Sequence, residues 1–320
     1  MSTRAEHILV TGGAGFVGTA VTRRLLERGA EVTVADTKPF THPRVHSITG
    51  DLRRAEVLDR AMAGRVTAII HLAAETSVLA SMSRPVEVHE TNVALTLSLL
   101  ERCRAEGVSR FVLASTNAVV GDIGDAVIDE DSPLRPLTPY GGTKAAAEML
   151  LSAYSGSYGL VGSAVRLTNV YGPGMQEKDS LVARVMRACR DQGSVSIYGD
   201  GNQVRDYLYI DDAVQGLLLP LDADLVGPLT IGSGTSTSVN ELYDVVRTVT
   251  GVDRVLPHVA PRPGEMPGVR VRIDRARRLG FEPRTSLRRG LAATWDAFGD
   301  SGPASGAGGG GRRGEPPTWG

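Results

Sequence analysis

The run Thr11-Gly12-Gly13-Ala14-Gly15-Phe16-Val17-Gly18 limits the possible folds of this chain more than any other stretch. Before it stands His7-Ile8-Leu9-Val10, a short apolar segment with β-branched residues, of the kind that forms a buried strand. After it, Val17, Val21 and Leu25 recur on one helical face until Gly29, a residue suited to ending a helix. Glu31–Ala35 reads as a second strand, which makes the unit strand–helix–strand. In that setting Gly12, Gly15 and Gly18 permit a tight turn, close approach of backbone to a pyrophosphate, and close helix–strand packing. The free N–H groups where the helix begins, at Phe16 and Val17, offer phosphate a positive dipole end. The stretch therefore predicts dinucleotide binding.

Asp36 closes the second strand, about 20 residues beyond the glycines, where a carboxylate can accept bonds from both ribose hydroxyls. The same charge would repel a 2′-phosphate, so the spacing favours NAD over NADP, a preference that nearby Lys38 softens. Alternation continues with a helix over 55–62, a strand over 67–70, a helix over about 85–106 and a strand over 110–114. A helix over 139–157 and a strand over 162–167 follow. The predicted fold is thus α/β: a Rossmann-type, doubly wound parallel sheet over 1–168, binding its ligand at the carboxyl ends of the strands. Residues 169–298 form a smaller substrate-binding α/β region, with some segments returning to the first domain. The Gly/Ser/Pro/Arg-rich stretch 299–320 is expected to be disordered.

Composition excludes several function classes. With 320 residues, 42% of them hydrophobic and 22% charged, the chain can bury one large core or two coupled ones. A net charge of -1 gives no reason to expect nucleic acid or an anionic membrane as partner. Cys103 and Cys189 cannot build a disulfide framework and have no metal-ligand neighbours, which suits a metal-free protein in a reducing cytoplasm. The polar Met1–His7 runs straight into a strand, so no signal peptide is expected, and no apolar run approaches ~18 residues.

The chemistry centres on Thr138-Pro139-Tyr140-Gly141-Gly142-Thr143-Lys144. Thr138 can cap a helix and Pro139 is pre-set for its first position. Tyr140 and Lys144, four apart, then share a face. An ammonium beside a phenol lowers its ordinary value of about 10, which makes the pair a general base for a hydroxyl proton. Alone, Tyr-x-x-x-Lys is a common pattern of surface helices; its neighbours give it meaning. Ser115 and Thr116 end the preceding strand, so they fall at the same sheet edge. Further on, Arg205 and Arg262 could grip a diphosphate through their guanidinium forks, although surface charge accounts for either equally well.

In order, the glycine run, Asp51-Leu52, His71-Leu72-Ala73-Ala74, Ser115-Thr116, Tyr140…Lys144, Asn169-Val170-Tyr171-Gly172-Pro173 and Arg205-Asp206-Tyr207 form a specific set. Over about residues 6–298 the chain resembles the extended short-chain dehydrogenase/reductase superfamily, in its NAD-dependent nucleotide-sugar epimerase/dehydratase branch. The resemblance implies that Asp51 and Leu52 meet the adenine, Leu72, Ala73 and Ala74 the dinucleotide, and Asn92 the region under the nicotinamide. Asn169, Arg205 and Arg262 would hold a UDP- or dTDP-hexose, with Thr76, Asn117, Val120 and residues 175–182 shaping the sugar pocket. Helices 85–106 and 139–157 would form a homodimer interface.

The implied chemistry has Tyr140 take a proton from a sugar hydroxyl, Thr116 bond the reacting oxygen, and Lys144 hold the nicotinamide ribose. Oxidation at C4 gives a 4-keto sugar, and hydride return to its other face inverts C4. Dehydratases of the branch carry Asp-Glu directly after the threonine; here stand Asn117 and Ala118, which cannot act as acid or base. Val120 replaces a usual tyrosine, and Gly174 a larger polar residue. The sequence thus points to a nucleotide-sugar 4-epimerase of the UDP-glucose/UDP-N-acetylglucosamine type. The alternatives are another 4-keto-sugar enzyme (reductase, dehydratase or decarboxylase) and a non-catalytic NAD-binding sensor.

Overall fold

A computed structural model of the chain describes residues 6–260 and 268–300. Strand β1 (His7–Thr11) leads through the glycine run into α1 (Phe16–Glu27), β2 (Glu31–Asp36), β3 (Val45–Thr49), α2 (Ala55–Met62) and β4 (Ala68–His71). Two short helices, α3 (Val78–Ser83) and α4 (Pro85–His89), precede a π-helical turn at Glu90–Ala94 and α5 (Leu95–Glu106). Then come β5 (Arg110–Thr116), a 3₁₀ turn at Asn117–Val119, α6 (Pro139–Tyr158) and β6 (Val161–Leu167). The later elements are β7 (Asn169–Tyr171), α7 (Leu181–Asp191), β8 (Ile197–Tyr198), β9 (Val204–Tyr209), α8 (Ile210–Asp222) and β10 (Gly227–Ile231). The last are β11 (Ser236–Ser238), α9 (Val239–Thr250), β12 (His258–Val259), α10 (Asp274–Arg278) and α11 (Leu287–Asp300).

Seven strands form one sheet in the order β10-β6-β5-β4-β1-β2-β3, with every pairing parallel. Successive strand residues point to opposite faces, so the buried runs feed two cores at once. Ile8, Val10, Ile70 and Val112 join the core on one face; Leu9, Ile69, Phe111 and Leu113 join the core on the other. A third core, built around Tyr171, Met186, Leu242 and Leu291, lies beneath α7, α9 and α11. As expected, part of the later chain returns to the sheet: β10 pairs with β6, and α8 packs on α1. Buried Asp206 ties the regions together by accepting bonds from Thr168 Oγ1, from Ser233 through N and Oγ, and from Gly234 N.

Four features depart from the expectation. The edge strand β3 and helix α3 are additional elements. The helix expected over 85–106 is interrupted by the π turn, whose wider winding carries Asn92 to the interior. Helix α11 runs through Asp300, two residues into the expected tail; the rest of that tail lies outside the described residues. Among the described residues, no helix is long and apolar enough to cross a membrane.

Strand order reverses at β1, which has β2 on one side and β4 on the other; crevices for ligands form at such switch points. Only glycine fits there. At Gly12, φ is +69° and a Cβ would stand 2.6 Å from Ala73 N; at Gly18 it would stand 2.1 Å from Gly12 O. Gly18→Ala must therefore lift α1 off β1, a strain of about 1–3 kcal/mol. Thermal unfolding should show a lowered midpoint and calorimetry a weakened affinity for NAD; an unchanged protein would contradict this packing.

Candidate active site

The crevice at the switch point opens into a cavity of about 250 Å³. Gly12, Gly15, Asp36, Asp51, Leu52, Leu72, Ala73 and Ala74, which the sequence assigned to the cofactor, all line it. Arg53, Thr37, Gly50 and Thr91 also contribute walls, and no sequence signal had selected them. Helix α1 starts at Phe16 without a side-chain cap, so its first-turn N–H groups stay available to an anion. Asp36 stiffens the loop, accepting from Ala14 N at 3.0 Å and Lys38 N at 2.9 Å, and still has lone pairs for ribose hydroxyls. Arg53 clamps Asp51 through Nε and Nη2 and holds its carboxyl below the usual range. Small residues, an uncapped helix start and two fixed carboxylates fit a dinucleotide.

Beside this cavity, α6 lies against the end of β5. Thr138 caps the helix by accepting from Gly141 N at 3.2 Å, with Pro139 in its first turn, as the sequence predicted. Tyr140 is half-buried and Lys144 is 3% exposed. Lys144 Nζ donates to Ala114 O at 2.9 Å. Burial draws its ammonium down to about 8, against the field of Glu148, which supports the charge.

The expectation that Lys144 depresses the Tyr140 phenol requires correction. In the free protein, burial pushes Tyr140 up to about 12, and the hydrogen-bonding influence of Thr116 is the only opposing effect. Lys144 is committed to a backbone carbonyl instead. Thr116 Oγ1 also accepts from Ala118 N at 3.2 Å, which holds the hydroxyl at the strand end.

Other expected site residues serve the framework. Asn92, 1% exposed, accepts from Glu75 N at 2.9 Å and donates to Glu75 O and Thr143 Oγ1, both at 3.0 Å. It thereby fastens the loop after β4 to the Tyr140 helix, with all its bonds to protein. Ser115, expected beside the cofactor, donates its hydroxyl to Glu148, which in turn is gripped by Arg166. Val120 is fully buried in the main core, so it does not shape a sugar pocket; Asn117 is also buried. Thr76 is exposed in the loop between β4 and α3. Asn169 and Arg205 lie on the adjacent strands β7 and β9, where Asn169 Nδ2 bonds Asp206 O and Arg205 Nη1 bonds Val204 O. Arg262 lies outside the described residues.

Two further groups received no role from the sequence. Buried His71, drawn down to about 3, bridges Thr11 at 2.7 Å and Thr96 at 3.1 Å, fixing the glycine loop to α5. Glu148, one helical turn beyond Lys144, was visible by spacing but had no known partner. Roomier hollows of about 440 and 450 Å³ lie beside α7 and between α9 and α11, but they contain none of these residues.

Fold and site together define an α/β dinucleotide-binding protein with a Tyr–Lys–Thr group at the cofactor crevice. Residues 8–231 match the NAD-dependent epimerase/dehydratase family, and the chain belongs to that family. Its cofactor is accordingly NAD. A dTDP-glucose 4,6-dehydratase of Streptomyces griseus is 35% identical over 306 residues, 90% of this chain and 92% of that protein. Among solved structures, the UDP-glucose 4-epimerase of Thermotoga maritima with UDP-glucose has a TM-score of 0.87 at 32% identity, covering 92% of this chain and 99% of that one. MoeE5, in complex with UDP-glucose and NAD, also has a TM-score of 0.87, at 36% identity and with the same coverage.

Asp36→Ala should lower NAD affinity roughly tenfold through the lost ribose acceptor and the loosened loop, and should narrow the preference over NADP. Calorimetric titration of cofactor-free protein checks this; unchanged affinity for both nucleotides would remove Asp36 from the site.

Proposed function

We propose that the protein is a nucleotide-sugar 4-epimerase acting on UDP-glucose or UDP-N-acetylglucosamine. One observation carries the choice within the family: Asn117 and Ala118 follow Thr116, where dehydration needs an acid–base pair for the C6 hydroxyl and the C5 proton. The relation to a dTDP-glucose dehydratase is as close as that to epimerases, so overall identity does not decide the reaction. Inversion at C4 needs only the groups present.

Thr116 holds the C4 oxygen, and Tyr140 takes the hydroxyl proton and later returns it. Lys144 supplies a cation at the ribose and keeps its helix on β5. NAD, when bound, supplies the hydride acceptor and a positive ring. That charge favours the phenolate, which burial alone disfavours in the free protein. Positioned proton transfer of this kind contributes roughly 10²–10⁴-fold to the rate.

Asn169 and Arg205 on the small sheet, together with Arg262, are the residues we assign to the sugar diphosphate, and residues 169–298 to substrate binding generally. Exposed Leu97, Met149 and Tyr158 on α5 and α6 support a homodimer through these helices; a monomer in sedimentation velocity would remove that part. The cytoplasm is the expected setting.

Purified protein without added cofactor should convert UDP-glucose or UDP-N-acetylglucosamine to its C4 epimer by NMR. Tyr140→Phe should abolish turnover while leaving NAD binding and thermal stability intact. Retained turnover in that variant would end the assignment of Tyr140 as the base.

A further inference from the structure

Three consecutive residues at the end of β5 each meet one residue on a single stripe of α6. Thr116 acts on Tyr140, the carbonyl of Ala114 accepts from Lys144, and the Ser115 hydroxyl donates to Glu148. Tyr140, Lys144 and Glu148 follow at intervals of four, so they stack on one face of the helix. The third contact involves no reacting atom, yet it is the most heavily anchored. Arg166 reaches Glu148 from β6, directly across from Ser115 in register, with Nη2–Oε2 at 2.9 Å and Nε 3.2 Å from both oxygens. Both side chains are 3% exposed. Arg166 Nη1 also donates to the carbonyls of Asp129 and Glu130, each at 3.3 Å, in the connection that delivers Thr138 and Pro139 to the helix start.

We infer that Glu148, clamped by Arg166 and Ser115, is a positioning residue for the reaction: it locks α6 in register on β5 and keeps the Lys144 ammonium charged beside Tyr140. A buried pair of charges is weak as a source of stability, since apolar residues of similar volume often serve as well. What apolar residues cannot supply is a negative charge one turn from a buried lysine. The other groups near Lys144 do not replace it. Thr116 and the Ala114 carbonyl on β5 are neutral, as are Thr143 on α6 and Asn92 on the π turn. His71 on β4 is neutral above about 3, and Tyr140 is a phenol below about 12. On β6, the Arg166 cation is engaged by Glu148. The inference rests on the proposed activity for its catalytic meaning, but not for its test.

The chain has only three lysines, Lys38, Lys144 and Lys178, so ¹³Cε-labelled lysine gives a readable NMR titration, with Lys144 assigned as the signal missing in Lys144→Met. In the wild type its midpoint should fall near 8. Without the Glu148 charge the ammonium is less favoured, so Glu148→Gln should move the midpoint down by roughly one pH unit. The double variant Glu148→Leu/Arg166→Met removes the carboxylate and its guanidinium partner together; it should keep the wild-type unfolding temperature and still show a downward shift, smaller than that of Glu148→Gln because the Arg166 cation is gone too. In turnover assays both variants should lose roughly tenfold or more in kcat with little change in KM, and the alkaline limb of the pH profile should move to lower pH. An unmoved Lys144 midpoint in the folded double variant would overturn the inference and leave Glu148 a structural residue. A shifted midpoint in a protein whose wild type inverts no sugar would uphold the inferred charge support and overturn the proposed activity instead.

Discussion

An ammonium group cannot leave water without partners, and Lys144 is almost wholly enclosed. Among the described residues, its hydrogen bond is to the Ala114 carbonyl and its charged support comes from Glu148 on the same helix. Meeting both demands fixes where α6 can lie: its N-terminal half must press on the last residues of β5, with Tyr140 brought to Thr116. The Thr138 cap and the Asn92 bonds to Thr143 and Glu75 then hold the helix start and the adjoining loop around that arrangement. The placement of Tyr140 beside Thr116 is thus a consequence of how one buried cation is satisfied.

The cofactor crevice obeys a complementary rule, that of removed side chains. Between β1 and β4 the backbone of Gly12 approaches Ala73 so closely that no other residue fits, and this leaves room at the mouth of an uncapped helix. Charge enters the crevice at fixed points, through Asp36 held by its own loop and through the Asp51–Arg53 pair. The phenol that must lose a proton stands in surroundings that oppose its ionisation until positive charge enters.

Much of this was legible in the sequence because it rests on local rules. Glycine spacing, the Thr138-Pro139 helix start and the strand-end Asp36 are all short-range patterns, and the structure bears them as expected. What could not be read depends on partners distant in sequence. Glu148 and Arg166 are 18 residues apart on a helix and a strand, and only the register of β5 on β6 brings Arg166 beside Ser115. Strand β3 escaped because only Ile48 of its five residues is buried, so it shows no alternation. The π turn has no compositional mark, since Asn92 is drawn inward by bonds to a loop 17 residues away. Val120, whose place in the motif allowed an effect on packing or on sugar fit, belongs to the core by its apolar side chain.

The central claim is that this site oxidises and restores C4 of a nucleotide sugar without touching C5 or C6. UDP-glucose deuterated at C4, incubated with the protein in ordinary water and separately undeuterated in D₂O, tests it directly by NMR. The account predicts a C4-inverted product that retains its C4 deuterium and takes up no solvent deuterium at C5 or C6. A 6-deoxy-4-keto product that carries the substrate's C4 deuterium at C6, and solvent deuterium at C5 when made in D₂O, would contradict it, and would mean that another pair of groups performs the acid–base work absent from Asn117 and Ala118.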